Sequence, residues 1–295
     1  MRFHIMSDSS CDISTEQEQV YGIGIVPYYV SFDGETYRKD RLEVNAEDFY
    51  REMAENPDIY PKTSMPTQVD FYEAFLPHAQ KGENIIYLNL TSKFSSSFQS
   101  ANLAAEALME EYPDCRIAVI DSCSATVQEG LLVTEAARMA EAGLSFTDAV
   151  EKLEELKMTS RIFFTTGDLS YLKKGGRIGK VLTQAASALK IKPIIHLYEG
   201  ELQAAGIARA RKKSIRKFME DAKAFFADKN INDYRICTGK GHDAAEYDVF
   251  HKEVEAEMQA LGFTGQVERY QIGCTIGVHT GPTPIGIACI RKFDA

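Results

Sequence analysis

Short apolar runs alternate with longer amphipathic runs in the first half of the chain, and this alternation constrains the fold more than any other feature. The runs at residues 2–8, 83–91 and 115–122 have the length and apolar character of buried strands. Helical patterns lie between and after them. Because strands that alternate with helices form βαβ units, we expect a mostly parallel sheet covered by helices.

Polar residues mark the starts of several predicted helices. Thr67 is followed three residues later by Asp70, and Ser145 is followed in the same way by Asp148. Asn45 begins a similar pattern before a third helix. A side chain that accepts from the third backbone N–H of a helix stabilises its first turn, so these residues are predicted N-caps.

The second half has a different pattern. It contains a helical region broken at Gly175-Gly176, a hairpin that turns at Glu199-Gly200, and further strands between amphipathic helices. A strand pair that turns at Asp33-Gly34 is also predicted in the first half. A chain of 295 residues exceeds the usual size of one compact core. We therefore predict an α/β protein of two domains, a parallel α/β/α domain at residues 1–160 and an α+β domain with a mixed sheet at residues 161–295.

Composition excludes several classes of protein. The net charge of −10 argues against a general nucleic-acid surface, which needs clustered Lys and Arg. The six cysteines and six histidines are scattered without metal-binding spacing, so we expect buried free thiols, no metal and no cofactor. No window approaches the ~18 apolar residues of a membrane span, and the first residues do not form a secretory signal. We expect a cytoplasmic protein without stable membrane insertion.

A run of hydroxyl side chains, LTSKFSSS at residues 90–97, follows a predicted strand and precedes a helix. The start of a helix exposes free backbone N–H groups, which favour an anion. Ser95, Ser96 and Ser97 add hydroxyl donors but no glycine, which suits one small anion such as a carboxylate better than a polyphosphate. The alternative is that one serine caps the helix and the others are solvated.

Two further segments have a similar character. Thr63 and Ser64, in the TSMPT segment, lie just before a capped helix, where they either form part of a polar binding floor or simply begin the helix. His279 lies among glycines and prolines, so we expect it on a loop. It could donate to a carboxylate or act as a base. The alternative is a surface histidine, or one that contacts binding residues without touching the ligand.

A hydrolase is the alternative function. Asp8 and Asp121 follow strands, so either could serve with Ser95 and His279 in a small esterase or phosphatase. The sequence contains no GxSxG motif and no Asp-x-Asp pattern beginning at Asp8. The two aspartates could equally well brace loops.

The basic segment KKGGRIGK, residues 173–180, is not a P-loop, because its glycine spacing is one residue short and Val181 stands where Ser or Thr must bind magnesium. In an acidic chain it could dock an anionic partner or act as the contact surface of a regulatory protein. The alternative is a solvated break between helices.

Seven segments taken together resemble the DegV family of bacterial fatty-acid-binding proteins, which includes the binding subunit of fatty acid kinase. They occur in the family's order and span nearly the whole chain. The segments are SDSSCDIS, TSMPT, LTSKFSSSFQSA, DSCSAT, LSYLKKGGRIG, IKPII and HTGPTPIG.

This resemblance implies a function. One long-chain fatty acid would be buried between two α/β domains, with its carboxylate held by Thr63, Ser95 and His279. Ser64, Ser96 and Ser97 would lie close by. A separate kinase would phosphorylate the bound carboxylate for use in phospholipid synthesis, and Arg177 would contribute to docking that kinase. On this interpretation the chain is a lipid carrier and not itself an enzyme.

The chain departs from the family pattern at three places. The family commonly has Ser-Gly-Thr where this chain has Ser95-Ser96-Ser97, and TSQPS where this chain has TSMPT. Thr283 stands where the histidine loop of the family usually has its last glycine.

Overall fold

A four-stranded parallel sheet forms the centre of the N-terminal half in the computed structural model, which describes residues 3–167, 169–179 and 191–295. Its order is β2-β1-β6-β7, and each neighbouring pair is parallel, as the alternation predicted. The strands are β1 (Phe3–Asp8), β2 (Gly24–Val26), β6 (Asn84–Asn89) and β7 (Ile117–Asp121).

Helices follow or flank these strands, and all but the first of them lie at the predicted places. They are α1 (Thr15–Tyr21), α2 (Ala46–Glu55), α3 (Gln68–Ala79), α4 (Ser97–Glu111), α5 (Thr126–Glu141) and α6 (Phe146–Leu156). The N-caps are confirmed: the side chains of Asn45, Thr67 and Ser145 each accept from the backbone N–H three residues later. Asp70 also accepts from the backbone N–H of Thr67, which completes a capping box.

The N-terminal half also contains a small antiparallel sheet, in the order β4-β3-β5. It consists of β3 (Tyr29–Ser31), β4 (Arg38–Lys39) and β5 (Lys62–Ser64). The predicted pairing around Asp33-Gly34 is confirmed for β3 and β4, but the first strand of that prediction is shorter than expected. Gly24–Val26 instead joins the parallel sheet as β2. Pro27 separates the two strands, and a proline cannot donate to a sheet ladder.

A six-stranded mixed sheet forms the centre of the C-terminal half, in the order β10-β9-β8-β13-β11-β12. Only the β11–β12 pair is parallel. The strands are β8 (Arg161–Thr165), β9 (Lys192–Tyr198), β10 (Glu201–Ala208), β11 (Tyr234–Lys240), β12 (Val267–Gln271) and β13 (Ile285–Arg291). Glu199 and Gly200 both have positive φ between β9 and β10, which confirms the predicted hairpin.

The helices of this half include one that the sequence did not predict. They are α7 (Ser170–Lys174), α8 (Arg211–Phe225), α9 (Ala244–Ala260) and α10 (Cys274–Thr280). The prediction that His279 lies on a loop is wrong, because His279 occupies the last turn of α10. Gly277, which suggested a loop, instead permits close packing: a Cβ there would lie 2.7 Å from the hydroxyl of Tyr50.

One apolar cluster joins the two halves. It contains Ile5 and Leu88 of the parallel sheet together with Ile162 and Ala288 of the mixed sheet. All strands of the parallel sheet precede residue 160 and all strands of the mixed sheet follow it. Because the two halves share this core, the division into domains at residue 160 stays a prediction.

The cysteines and the helices bear on two further expectations. All six cysteines are free thiols, and all but Cys123 are buried. Among the residues that the structure describes, no helix has the length and apolar character needed to cross a membrane.

Candidate functional site

An apolar cavity of about 240 Å³, here called the acyl cavity, is lined by residues from both halves of the chain. Its walls include Leu90, Val127, Phe164, Leu197, Leu202 and Ile276. The volume lies slightly below the ~300–1,000 Å³ common for small-molecule pockets.

Four of the six predicted ligand-binding residues line this cavity, namely Thr63, Ser95, Ser96 and His279. Arg177 lines the cavity as well and lies between the serine run and His279. Its Nε donates to the carbonyl oxygen of Phe94, at 3.1 Å, next to the serine run. Its charge also acts on the imidazole of His279.

Thr63 and His279 form one hydrogen-bonded unit. The Oγ1 of Thr63 lies 3.0 Å from Nε2 of His279. The Nδ1 of His279 is buried, has no hydrogen-bond partner among the described residues, and faces Gly175. Because buried N–H groups without a partner are rare, we assign the imidazole proton to Nε2. Nε2 then donates to Thr63, and the hydroxyl proton of Thr63 remains free to donate to a ligand.

The imidazole of His279 is neutral at physiological pH. Burial and the nearby charge of Arg177 lower its pKa from 6.5 to about 4. A neutral imidazole can orient Thr63 through a hydrogen bond, but it adds no positive charge to the cavity. The guanidinium of Arg177 is therefore the cation of this site.

Ser95 is oriented by a second network. The backbone N–H of Ser97 donates to Oγ of Ser95 at 3.1 Å, and the hydroxyl of Tyr28 lies 3.0 Å from the same oxygen. The hydroxyl of Tyr28 also donates to Oγ of Ser97 at 2.6 Å. The single proton of the Tyr28 hydroxyl serves Ser97, so the backbone N–H of Ser97 is the donor directed at Ser95. The hydroxyl of Ser95 can then direct its own proton to the oxygen of Tyr28 or to a ligand in the cavity.

The remaining predicted residues lie in other positions. Ser96 lines the cavity but is exposed, and its side chain makes no capping hydrogen bond to α4. Ser97 is fully buried behind Ser95, where its hydroxyl accepts from Tyr28 and from the side chain of Asn89. Ser64 is exposed and absent from the cavity lining, since adjacent residues of β5 point to opposite faces.

The two strand-end aspartates brace the loop that contains the serine run. Asp8 is buried and accepts from the backbone N–H of Leu90 at 2.9 Å. Asp121 accepts from the backbone N–H of Ser92 at 3.2 Å. Burial raises the pKa of Asp8, although the hydrogen bonds from Leu90 and Ser10 oppose this shift.

The geometry gives no support to a hydrolase. His279 bonds to Thr63 and not to Ser95, and no described carboxylate contacts its Nδ1. A triad needs the nucleophile on one nitrogen of the imidazole and an acid on the other. The described residues also contain no cluster of three or more potential metal ligands.

Sequence reasoning missed two residues that shape the site. Tyr28 orients Ser95 and Ser97, although it lies nearly seventy residues before them. Gly175 packs against His279, and a Cβ there would lie 2.2 Å from Nδ1. No local sequence pattern marks either residue as part of the site, because both act through contacts between segments that are distant in the chain.

An apolar cavity whose described lining has donor hydroxyls and one cation suits a ligand with an apolar body and a small anionic head. Comparison with known proteins gives the family. A family model described as "Uncharacterised protein, DegV family" matches residues 2–292, and the chain belongs to the DegV family.

Relatives and solved structures agree with this assignment. A DegV domain-containing protein of Clostridium perfringens is 31% identical over 99% of this chain and 100% of its own. A stearic acid-binding protein from Eubacterium ventriosum is 39% identical, with a TM-score of 0.94 and 99% of both chains covered. A DegV family protein from Thermus thermophilus, whose structure is described for fatty acid binding, is 27% identical, with a TM-score of 0.87 over 99% of this chain and 100% of its own.

Proposed function

We propose that this protein binds a long-chain fatty acid in the acyl cavity and holds its carboxylate with Ser95 and with Thr63, which His279 orients. The observation that carries the proposal is the convergence of these three side chains from β5, the loop before α4 and α10 on one apolar cavity. The descriptions of the relatives from Eubacterium ventriosum and Thermus thermophilus support the same ligand class.

Burial of the acyl chain supplies most of the binding free energy. A chain of ~16 carbons contributes roughly 12 kcal/mol at ~0.8 kcal/mol per CH₂. Lost translational and rotational freedom offsets a large part of this. The apolar walls of the cavity therefore account for affinity, and the polar residues account for the position of the head group.

The carboxylate requires donors because burial of an unpaired charge is far more costly than burial of a hydroxyl. The proton of Thr63 is left free to donate by its contact with His279, and Ser95 can turn its proton from the oxygen of Tyr28 to the carboxylate. Ser96 and the guanidinium of Arg177 lie at the same cavity and complete the set. In this proposal Ser97 positions Ser95 and does not contact the ligand, and Ser64 has no direct role.

The carboxylate is then presented to a separate kinase, which transfers a phosphoryl group to it and forms an acyl phosphate. The chain itself performs no chemistry in this scheme. The exposed position of Arg177, beside the carboxylate site, supports its role in docking the kinase. An acyl kinase assay that traps acyl phosphate with hydroxylamine tests this step, with Arg177→Glu expected to reduce turnover.

Ligand extraction tests the binding proposal directly. Protein purified from a bacterial host is expected to release a fatty acid that mass spectrometry identifies. After delipidation it is expected to bind palmitate or oleate with 1:1 stoichiometry. A lipid-free extract from folded protein, together with no binding of either added acid, contradicts the proposal.

A further inference from the structure

A second pocket, here called the outer pocket, adjoins the acyl cavity and has a volume of about 460 Å³. Thr63, His279 and Arg177 line both, so the two pockets meet at the residues that we assign to the carboxylate. The other side of the outer pocket is formed by Lys62 and Lys174 together with aromatic residues.

The outer pocket is strongly cationic in an acidic protein. Its lining contains Lys62, Lys174 and Arg177 but no aspartate or glutamate, while the chain as a whole has a net charge of −10. The described salt bridges leave all three of these cations without a carboxylate partner. Three unpaired cations around one concave space attract an anion that carries more than one charge.

Aromatic contacts hold part of this arrangement in place. The Nζ of Lys174 lies 3.4 Å from the ring centroid of Tyr60. The rings of Tyr60 and Tyr171 are 4.8 Å apart. A lysine over an aromatic face loses some conformational freedom before any ligand arrives, so less entropy is lost when the anion binds.

Arg177 is held at the boundary between the two pockets. Its Nε donates to the carbonyl oxygen of Phe94, and its NH1 donates to that of Gly175 at 2.7 Å. The guanidinium is thus fixed beside Gly175, which itself packs against His279. A planar group with several N–H donors in this position suits the oxygens of a phosphate.

We propose that the outer pocket binds a phosphoryl group, held by Lys62, Lys174 and Arg177, immediately beside the carboxylate of the bound acyl ligand. The inference rests on the proposed function for the position of the carboxylate. It adds a binding site on this chain for the group that the carboxylate receives. The same chemistry would accept inorganic phosphate or a phosphoryl group joined to an alkyl chain.

Two ligands of matched chain length test the proposal. Delipidated wild-type protein and a Lys62→Gln/Lys174→Gln variant are titrated by calorimetry with palmitate and with hexadecyl phosphate. Because hydrogen bonds to charged groups are the strong ones, the variant is expected to bind hexadecyl phosphate about tenfold more weakly or worse. Its affinity for palmitate is expected to change less than about twofold. Lys173→Gln, one residue away on α7 and outside the lining of the pocket, is the matched control.

A third arm separates the outer pocket from the acyl cavity. Inorganic phosphate is titrated into palmitate-loaded wild-type protein and the double variant, with saturable binding expected only in the wild type. Equal hexadecyl phosphate affinity in the wild type and the double variant overturns the proposal. An equal loss for both acyl ligands also overturns it, because the lysines would then act on any anionic head. If wild-type protein binds neither acyl ligand, the proposed function fails. The titration of delipidated wild type and double variant with inorganic phosphate then shows whether the outer pocket binds phosphate on its own.

Discussion

The hydroxyl of Thr63 lies 3.0 Å from Nε2 of His279, although 216 positions separate the two residues in the chain. Thr63 belongs to the small antiparallel sheet of the first half, and His279 belongs to α10 near the other end of the chain. The contact therefore joins the two halves at the cavity. It also fixes which partner donates, because Nδ1 of His279 faces Gly175 without a hydrogen-bond partner.

Thr63 and His279 are expected to act as a unit in ligand binding. Thr63→Val and His279→Ala should each weaken fatty acid binding by ~1–3 kcal/mol. The first removes the hydroxyl that donates to the carboxylate, and the second removes the imidazole that orients this hydroxyl. The double variant should lose less than the sum of the two losses, because the residues are in contact. Calorimetric titration with palmitate measures this cycle. Ser64→Ala, on the same strand but exposed, is the control and should bind normally. Additive losses would contradict the coupling.

Tyr28 is expected to affect binding through Ser95. Tyr28→Phe keeps the ring but removes the hydroxyl that contacts Ser95 and Ser97, so we expect a loss of roughly 0.5–1.5 kcal/mol in affinity for palmitate. Ser95→Ala removes the donor itself and should cost more. In the Ser95→Ala background, Tyr28→Phe should have little further effect on affinity. An undiminished second loss would mean that Tyr28 acts on the ligand by another route.

Gly175 is expected to be required for the position of the imidazole. Its φ of −73° is available to any residue, but a Cβ at this position would lie 2.2 Å from Nδ1 of His279. Gly175→Ala should therefore displace the ring and lower palmitate affinity by about as much as His279→Ala, ~1–3 kcal/mol. Gly176→Ala is the matched control, because it strains a backbone with a φ of +69° but places its Cβ in open space. Equal effects on affinity would point to loop strain instead of contact with His279.

The pKa of His279 predicts a pH-dependent stability. The folded protein lowers this pKa from 6.5 to about 4, so between these values the unfolded chain takes up a proton that the folded chain does not. The contribution of His279 to the free energy of unfolding does not change with pH above pH 6.5. It falls as the pH decreases through this window, by about 3 kcal/mol at most.

Chemical denaturation of delipidated wild type and His279→Gln at pH 7, 6, 5 and 4 measures this effect. The free energy of unfolding of the wild type should fall more steeply than that of the variant below pH 6.5. Other histidines with lowered pKa values, such as His4, are present in both proteins and cancel in the difference. Parallel pH profiles would contradict the assignment.

Local features of the sequence predicted much of the fold. Capping by Thr67 and Ser145 involves residues three positions apart, so the helix starts could be located without tertiary information. The hairpin at Glu199-Gly200 was equally local. The short strand β2 was not separated from β3, because its place depends on pairing with β1 rather than on its own composition.

The candidate site could be predicted only in part. The serine run and Thr63 stand out as hydroxyls at strand and loop ends, and His279 stands out by its residue type. Its helix was missed because glycines that permit tight packing resemble glycines that form a loop. The outer pocket could not be predicted, since Lys62 and Lys174 meet through tertiary packing and the basic run at 173–180 indicated only charge. Lys180, in the same run, lies outside the described residues.

The placement of His279 on α10 has a consequence for synthesis of the protein. Thr63 is translated 216 positions before His279, the residue whose imidazole orients it. A nascent chain that has not yet reached α10 lacks both the wall residue Ile276 and the donor to Thr63. The hydrogen-bonded pair of Thr63 and His279 is therefore a feature that the nascent chain acquires only once α10 has been translated.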